Sequence, residues 1–114
     1  MCRRWGGSAY LGVQCGSAVT FAGEENVVRY RSSGWAERGF CARCGSHLFY
    51  HYVPAGSYSL LAGLFPDDAL EQLAEEIFVD EKPGYYAFAG EAVTLTGPEV
   101  IAKAKAEGFV FPEM

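Results

Sequence analysis

The chain has 114 residues, of which 50% are apolar and 15% aromatic, and carries a net charge of -5. That is enough for one domain with its own core and too apolar for a disordered chain. It has neither the run of about 18 apolar residues that a membrane helix needs nor a visible charged-then-apolar leader. The acidic balance speaks against nucleic acid as a partner, because phosphate binding needs a basic face, and nothing points to a membrane. The expected location is the cytoplasm, where thiols stay reduced and four cysteines suggest metal or catalysis before disulfides.

No repeat or linker divides the sequence, so residues 1–114 read as a single domain. In chain order, strands are expected over residues 9–14, 18–21, 27–31, 35–40, 46–53, 58–62 and 76–79. Turn-forming stretches such as "GEEN", "SSG" and "VPAGS" separate them, which is the spacing of a mainly β, antiparallel fold. "PDDALEQLAEE", residues 66–76, reads as a short helical excursion, with Pro66 and the acids after it suited to a first turn. "TGPEVIAKAKAEGF" predicts a short C-terminal helix: Thr96 and Glu99 form a capping-box pattern, Pro98 suits the first turn, and Gly108 ends it. Exposed β edges could pair two copies into a homodimer.

Charge is split along the chain. Residues 1–53 hold six arginines against three glutamates, a balance of +3, whereas residues 54–114 hold three lysines against eleven acids, a balance of -8. The arginines therefore share the half that carries the cysteines, where guanidinium groups can clamp a carboxylate at two points. A solvated arginine-rich face is the plainer alternative.

The sharpest motif is "RGFCARCGSHLFY", residues 38–50. Cys41 and Cys44 have the spacing of two ligands turned toward one zinc ion, and Gly45 suits the tight turn after them. A redox pair is disfavoured because "SHLFYHYV" reads as a strand, whereas such a pair opens a helix. His47 and His51 share a face of a regular strand and read as packed or solvent-facing histidines rather than ligands. Cys15 reads as a small buried hydrophobe. Cys2 lies beside Arg3, Arg4 and Trp5, where positive charge favours its thiolate.

The segments "CRRWGGSAYLGV", "VVRYRSSGWAERGFCARCGSHLFY", "AGLF" and "EEIFVDEKPGYYAF", in this order, resemble the glutathione-dependent formaldehyde-activating enzyme family, shared with the centromere protein V domain. The resemblance covers most of residues 2–88 and is most specific over residues 30–45. It implies an Mss4-like fold of coiled antiparallel sheets around zinc, and a carbon-sulfur lyase that joins glutathione or another small thiol to formaldehyde or a related small aldehyde. It further implies that Cys41 and Cys44 are half of a structural zinc site. By the same resemblance Cys2 is the last cysteine of a catalytic zinc cluster, and Arg3, Arg4, Arg38 and Arg43 are candidates for the thiol's carboxylates.

Against that pattern the upstream Cys-x-Cys and the first two cysteines of the catalytic cluster are missing, and Met1 falls inside the motif. The expectation is a complete protein with an additional N-terminal segment, and an impaired lyase in the chain as it stands. Cys2, Cys41 and Cys44 sharing one ion is a further possibility. Glu76 stands where the family often has histidine, and Tyr86 near a frequent tryptophan. The rival reading, from another class, is a zinc-stabilised protein-binding module without chemistry.

Overall fold

The computed structural model describes residues 2–70 and 72–109, with side chains from residue 4 onward except that of residue 67. Two compact units divide the chain near residue 70.

The first unit opens with a one-turn helix, α1 (Cys2–Gly6), and is built on five strands: β1 (Gly12–Gly16), β2 (Val27–Arg31), β3 (Ala36–Cys41), β4 (His47–Tyr52) and β5 (Ser57–Leu61). They form one antiparallel sheet in the order β1-β5-β4-β3-β2, so four consecutive strands meander and β1 closes onto the outer side of β5. Short connections make the meander possible. In the β2–β3 turn, Arg31 donates from Nε to the Ser33 carbonyl at 2.9 Å and from Nη2 to the Gly34 carbonyl at 2.7 Å. That arginine is committed to holding a hairpin.

β4 is the centre of the sheet and supplies its core. Phe49 is wholly buried and Ala36 nearly so. Phe49 lies opposite Gly39 across the β3–β4 ladder, and its ring meets Phe21 at 5.2 Å and Tyr58 at 5.1 Å between centroids. The close approach depends on Gly39 having no side chain, since an added Cβ would run into the Phe49 ring. On the same face the Arg29 guanidinium sits 4.9 Å above the Phe49 ring, donates to the Tyr58 hydroxyl at 3.1 Å and pairs with Glu37 at 3.7 Å and Glu24 at 3.8 Å.

The β3–β4 register slips by one residue at its end. Gly39 faces Phe49, but Phe40 faces His47, leaving Leu48 as the extra residue of a bulge. Directly opposed residues in an antiparallel pair point to the same side, so His47 sides with Phe40 and is turned away from the Phe49 face. His51, paired with Glu37 and Tyr58, stays on that face. The expectation that the two histidines share a face is corrected by this bulge.

The second unit pairs β6 (Glu75–Ile77) with β7 (Val93–Leu95) in parallel and ends in α2 (Gly97–Ala106). The capping box forms as expected: the Glu99 backbone donates to Thr96 Oγ1 at 3.3 Å, and the Thr96 backbone donates to Glu99 Oε1 at 3.0 Å. Asp80 adds a second cap by accepting from the Gly97 backbone at 2.7 Å.

The architecture is mainly β, an antiparallel five-stranded sheet with a short C-terminal helix. Two expected elements are absent. Residues 18–21 are irregular, and Phe21 serves as a plug against Phe49 rather than as part of a ladder. No helix spans residues 66–76; a single 3-10 turn, Asp67–Ala69, is followed by irregular chain and then β6, with residue 71 outside the described residues. The strand expected over residues 76–79 ends at Ile77, because Phe78 takes a positive φ of 55°. Among the described residues no helix is long and apolar enough to cross a membrane.

Candidate functional site

The turn after β3 builds a hook that presents two sulfurs. Cys41 ends the strand, its backbone N–H donating to the Ser46 carbonyl at 2.9 Å, while the Gly45 N–H returns to the Cys41 carbonyl at 2.8 Å. Gly45 has a φ of +77°, a conformation that a residue with a Cβ adopts only with strain. The Arg43 backbone N–H points at Cys41 Sγ at 3.4 Å, and Cys44 Sγ lies 3.2 Å from the Ser46 hydroxyl. Hydrogen bonding by that hydroxyl, then by the Ser46 backbone, then by Cys41, holds the exposed Cys44 thiol below its ordinary range. N–H and O–H groups directed at sulfur favour the anion, which is the form that binds metal.

The hook therefore presents two sulfur donors, with Cys44 the one biased toward its anion, and fits two ligands of a tetrahedral zinc. Among the described residues, no group of three or more histidine, cysteine or acidic side chains gathers around one point. Cys15 is separate, half-buried on β1 with its Sγ donating to the Val13 carbonyl at 3.3 Å. The side chains of Cys2 and Arg3 lie outside the described residues.

A second feature lies beside α1, the helix that carries Cys2. There a pocket of about 260 Å³ is lined by Trp5 and Gly6 of α1, by the segment from Ser8 to Leu11, by His47, and by Leu61, Ala62 and Gly63 at the end of β5. Trp5 is its organising ring: it stacks on Tyr10 at 5.6 Å, receives the edge of His47 at 4.3 Å and lies 4.9 Å beneath the Arg38 guanidinium. The Tyr10 hydroxyl donates to the Ser59 carbonyl at 2.6 Å. Nδ1 of His47 is buried without a hydrogen-bond partner among the described residues.

The arginines sort themselves by this geometry. Arg38 is half-buried over the ring of Trp5, a lining residue, though it does not itself line the pocket; Arg4 is exposed on α1 and Arg43 exposed on the hook. Arg29 and Arg31 are bound into the opposite sheet face and the hairpin turn. Sequence reasoning did not single out Trp5, Tyr10 or His47 as lining residues. The available signal was the clustering of Trp5 and Tyr10 around small residues in "CRRWGGSAYL".

Fold and site together define a small antiparallel β protein that carries a two-thiol hook and an aromatic pocket at its N-terminal helix. The chain is 33% identical over 101 residues, covering 88% of its own length and 74% of the relative's, to a Schizosaccharomyces pombe protein named as an uncharacterized lyase. It belongs to the family of that lyase. No family profile matches the chain, and no solved structure does.

Proposed function

We propose that this protein is a carbon-sulfur lyase of the glutathione-dependent formaldehyde-activating type, catalysing the joining and parting of a thiol and a small aldehyde. The observation that carries this proposal is the Cys41–Cys44 hook, two adjacent sulfurs with Cys44 biased toward its anion, in a chain whose relative is named a lyase.

In the joining direction a thiolate attacks the carbonyl carbon and the aldehyde oxygen gains a proton. In the parting direction the hydroxyl proton leaves, the C–O bond becomes C=O, and the C–S electron pair departs on sulfur. His47, whose ring lines the pocket, holds the proton in transit. Arg38 lies over the Trp5 ring and meets a carboxylate of the thiol, with Arg3, Arg4 and Arg43 as further carboxylate partners. Cys41 and Cys44 would hold zinc as two of its ligands, and Cys2 belongs to the reacting end. Zinc, when bound, would acidify a coordinated thiol so that its sulfur is deprotonated near neutral pH.

Exchange NMR of glutathione with labelled formaldehyde, in zinc-supplemented buffer, tests the proposal. A weak rate above the uncatalysed one, lost in Cys2→Ser, is expected. Equal rates with and without protein would overturn it. Metal analysis of the wild type against Cys41→Ser tests the hook separately, and an unchanged zinc content would remove Cys41 from the ligand set.

A further inference from the structure

We propose, resting on the lyase reading, that Arg38 alone among the arginines sets thiol specificity: held against Trp5, it receives one carboxylate at two points, so a thiol with a carboxylate is preferred to a neutral one. The arginines differ in what their donors already hold. Arg31 gives two bonds to carbonyls of its hairpin, and Arg29 is engaged by Tyr58, Glu24 and Glu37. Arg38 is half-buried, yet among the described residues its guanidinium has no hydrogen-bond acceptor and no acidic partner; it rests 4.9 Å from the centre of the Trp5 ring. Glu37, its neighbour on β3, points to the other side of the strand and is shared by Arg29 and His51. A guanidinium has five N–H donors and does not lose its charge. Partial burial strips water from those donors, so an anion is a favourable replacement.

The group is also accessible and held in place. Strand register sets Arg38 directly between Tyr30 of β2 and Tyr50 of β4, and opposed residues point to the same side of a sheet. Tyr30 is 61% exposed, so a ligand reaches this side from solvent. Trp5, which covers the guanidinium, is itself held by Tyr10 and His47. Rotamer freedom that a long side chain gives up on binding is thereby reduced before the ligand arrives.

The fork of a guanidinium matches the two oxygens of a planar carboxylate. Its single charge balances a carboxylate, whereas a phosphate group of charge near -2 calls for a second cation. Arg4 and Arg43 are exposed, where water competes for their donors and salt screens their charge. Arg38 is therefore the one that discriminates.

The test is an NMR titration of the full chain, read at the side-chain Nε–H of Arg38 and the indole N–H of Trp5. The probe is S-methylglutathione, which keeps both carboxylates and has no free thiol. Its dimethyl ester should bind at least tenfold more weakly, the loss expected of charge-assisted hydrogen bonds. Acetate should displace the probe more readily than inorganic phosphate does at equal ionic strength. Arg38→Gln should weaken the probe by a similar factor, and Arg38→Lys, which keeps the charge without the fork, should recover only part of it. In thiol–aldehyde exchange, Arg38→Gln should raise the half-saturating glutathione concentration about tenfold while the rate with 2-mercaptoethanol stays within about twofold. A merely structural role for Arg38 would lower both rates alike. Equal binding of the ester, stronger displacement by phosphate, full recovery in Arg38→Lys, or an unchanged half-saturating glutathione concentration in Arg38→Gln overturns the inference. If the probe binds through Arg38 and no exchange is accelerated, the lyase reading falls alone. If exchange is accelerated and the ester binds as well as the acid, the carboxylate site falls alone.

Discussion

Replacing Gly39 with alanine tests the contact on which the sheet is built. Gly39 is buried opposite Phe49, and an added Cβ would approach the ring, with Cδ2 only 2.5 Å away. The ring has no easy retreat, because Phe21 and Tyr58 flank it at 5.2 and 5.1 Å and Arg29 covers it at 4.9 Å. Overpacking of this kind costs about 1–3 kcal/mol, and the unfolded-state advantage of alanine over glycine returns about 0.5–1 kcal/mol. The upper part of the overpacking range applies, since the methyl meets a ring fully enclosed, so a net loss of about 2 kcal/mol is expected. With a urea m-value of about 1.5 kcal/mol/M, the unfolding midpoint should fall by roughly 1.3 M. Fluorescence-monitored urea unfolding measures this directly. Phe49→Leu in the same chain relieves the clash, so the double variant should be more stable than the two single losses predict, with a coupling of about 1 kcal/mol. Gly63→Ala, where nothing lies within 4 Å of the new Cβ, serves as the neutral control. A Gly39→Ala midpoint within about 0.3 M of wild type, or zero coupling with Phe49→Leu, would refute the packing described here.

Three further outcomes follow from the same geometry. Without metal, Cys44 should react with iodoacetamide near neutral pH faster than Cys15, and Ser46→Ala should slow it severalfold by removing the first of the bonds that favour its thiolate; mass spectrometry of the alkylated chain reads both, and an unaffected Cys44 rate would discard Ser46 as the cause. Glu99 is held below the ordinary carboxylate range by its bonds from the Thr96 backbone and side chain. Because the folded value is the lower one, its contribution is present above the unfolded value of about 4.3 and is lost as the pH falls through the folded value; amide-exchange protection at Thr96 should fade in that acid window, and full protection below it would contradict the cap. Glu37→Gln should cost less than about 1 kcal/mol and do so less in high salt, since its contacts to Arg29 and His51 are long, 3.7 and 3.6 Å, and partly exposed; a salt-independent loss measured by urea unfolding would point to packing instead.

Several elements were legible because their causes are local. The C-terminal helix follows from Thr96 and Glu99 capping each other within one turn. β2 coincides with residues 27–31 as read from the sequence, while β3, β4 and β5 lie within one residue of the expected bounds at either end. Two expected elements did not form. Residues 18–21 have strand-like composition, yet Phe21 is used to cover Phe49, a residue far along the chain, and among the described residues of 66–76 only the 3-10 turn Asp67–Ala69 precedes β6.

The site divides along the same line. Cys41, Cys44 and Gly45 form their hook from hydrogen bonds among neighbours, so a few consecutive residues sufficed to predict the turn. The sequence by itself thus determined the β class, the capped helix and the pair of sulfurs. Tertiary structure alone decided which face each histidine serves, because one bulged residue at Leu48 turns His47 toward Trp5 while His51 remains stacked on Tyr58. It also decided that Arg38 lies over Trp5, whereas Arg29 is bound among Glu24, Glu37 and Tyr58. Strand register joins residues far apart in the chain, and a slip of one position exchanges the faces of a sheet.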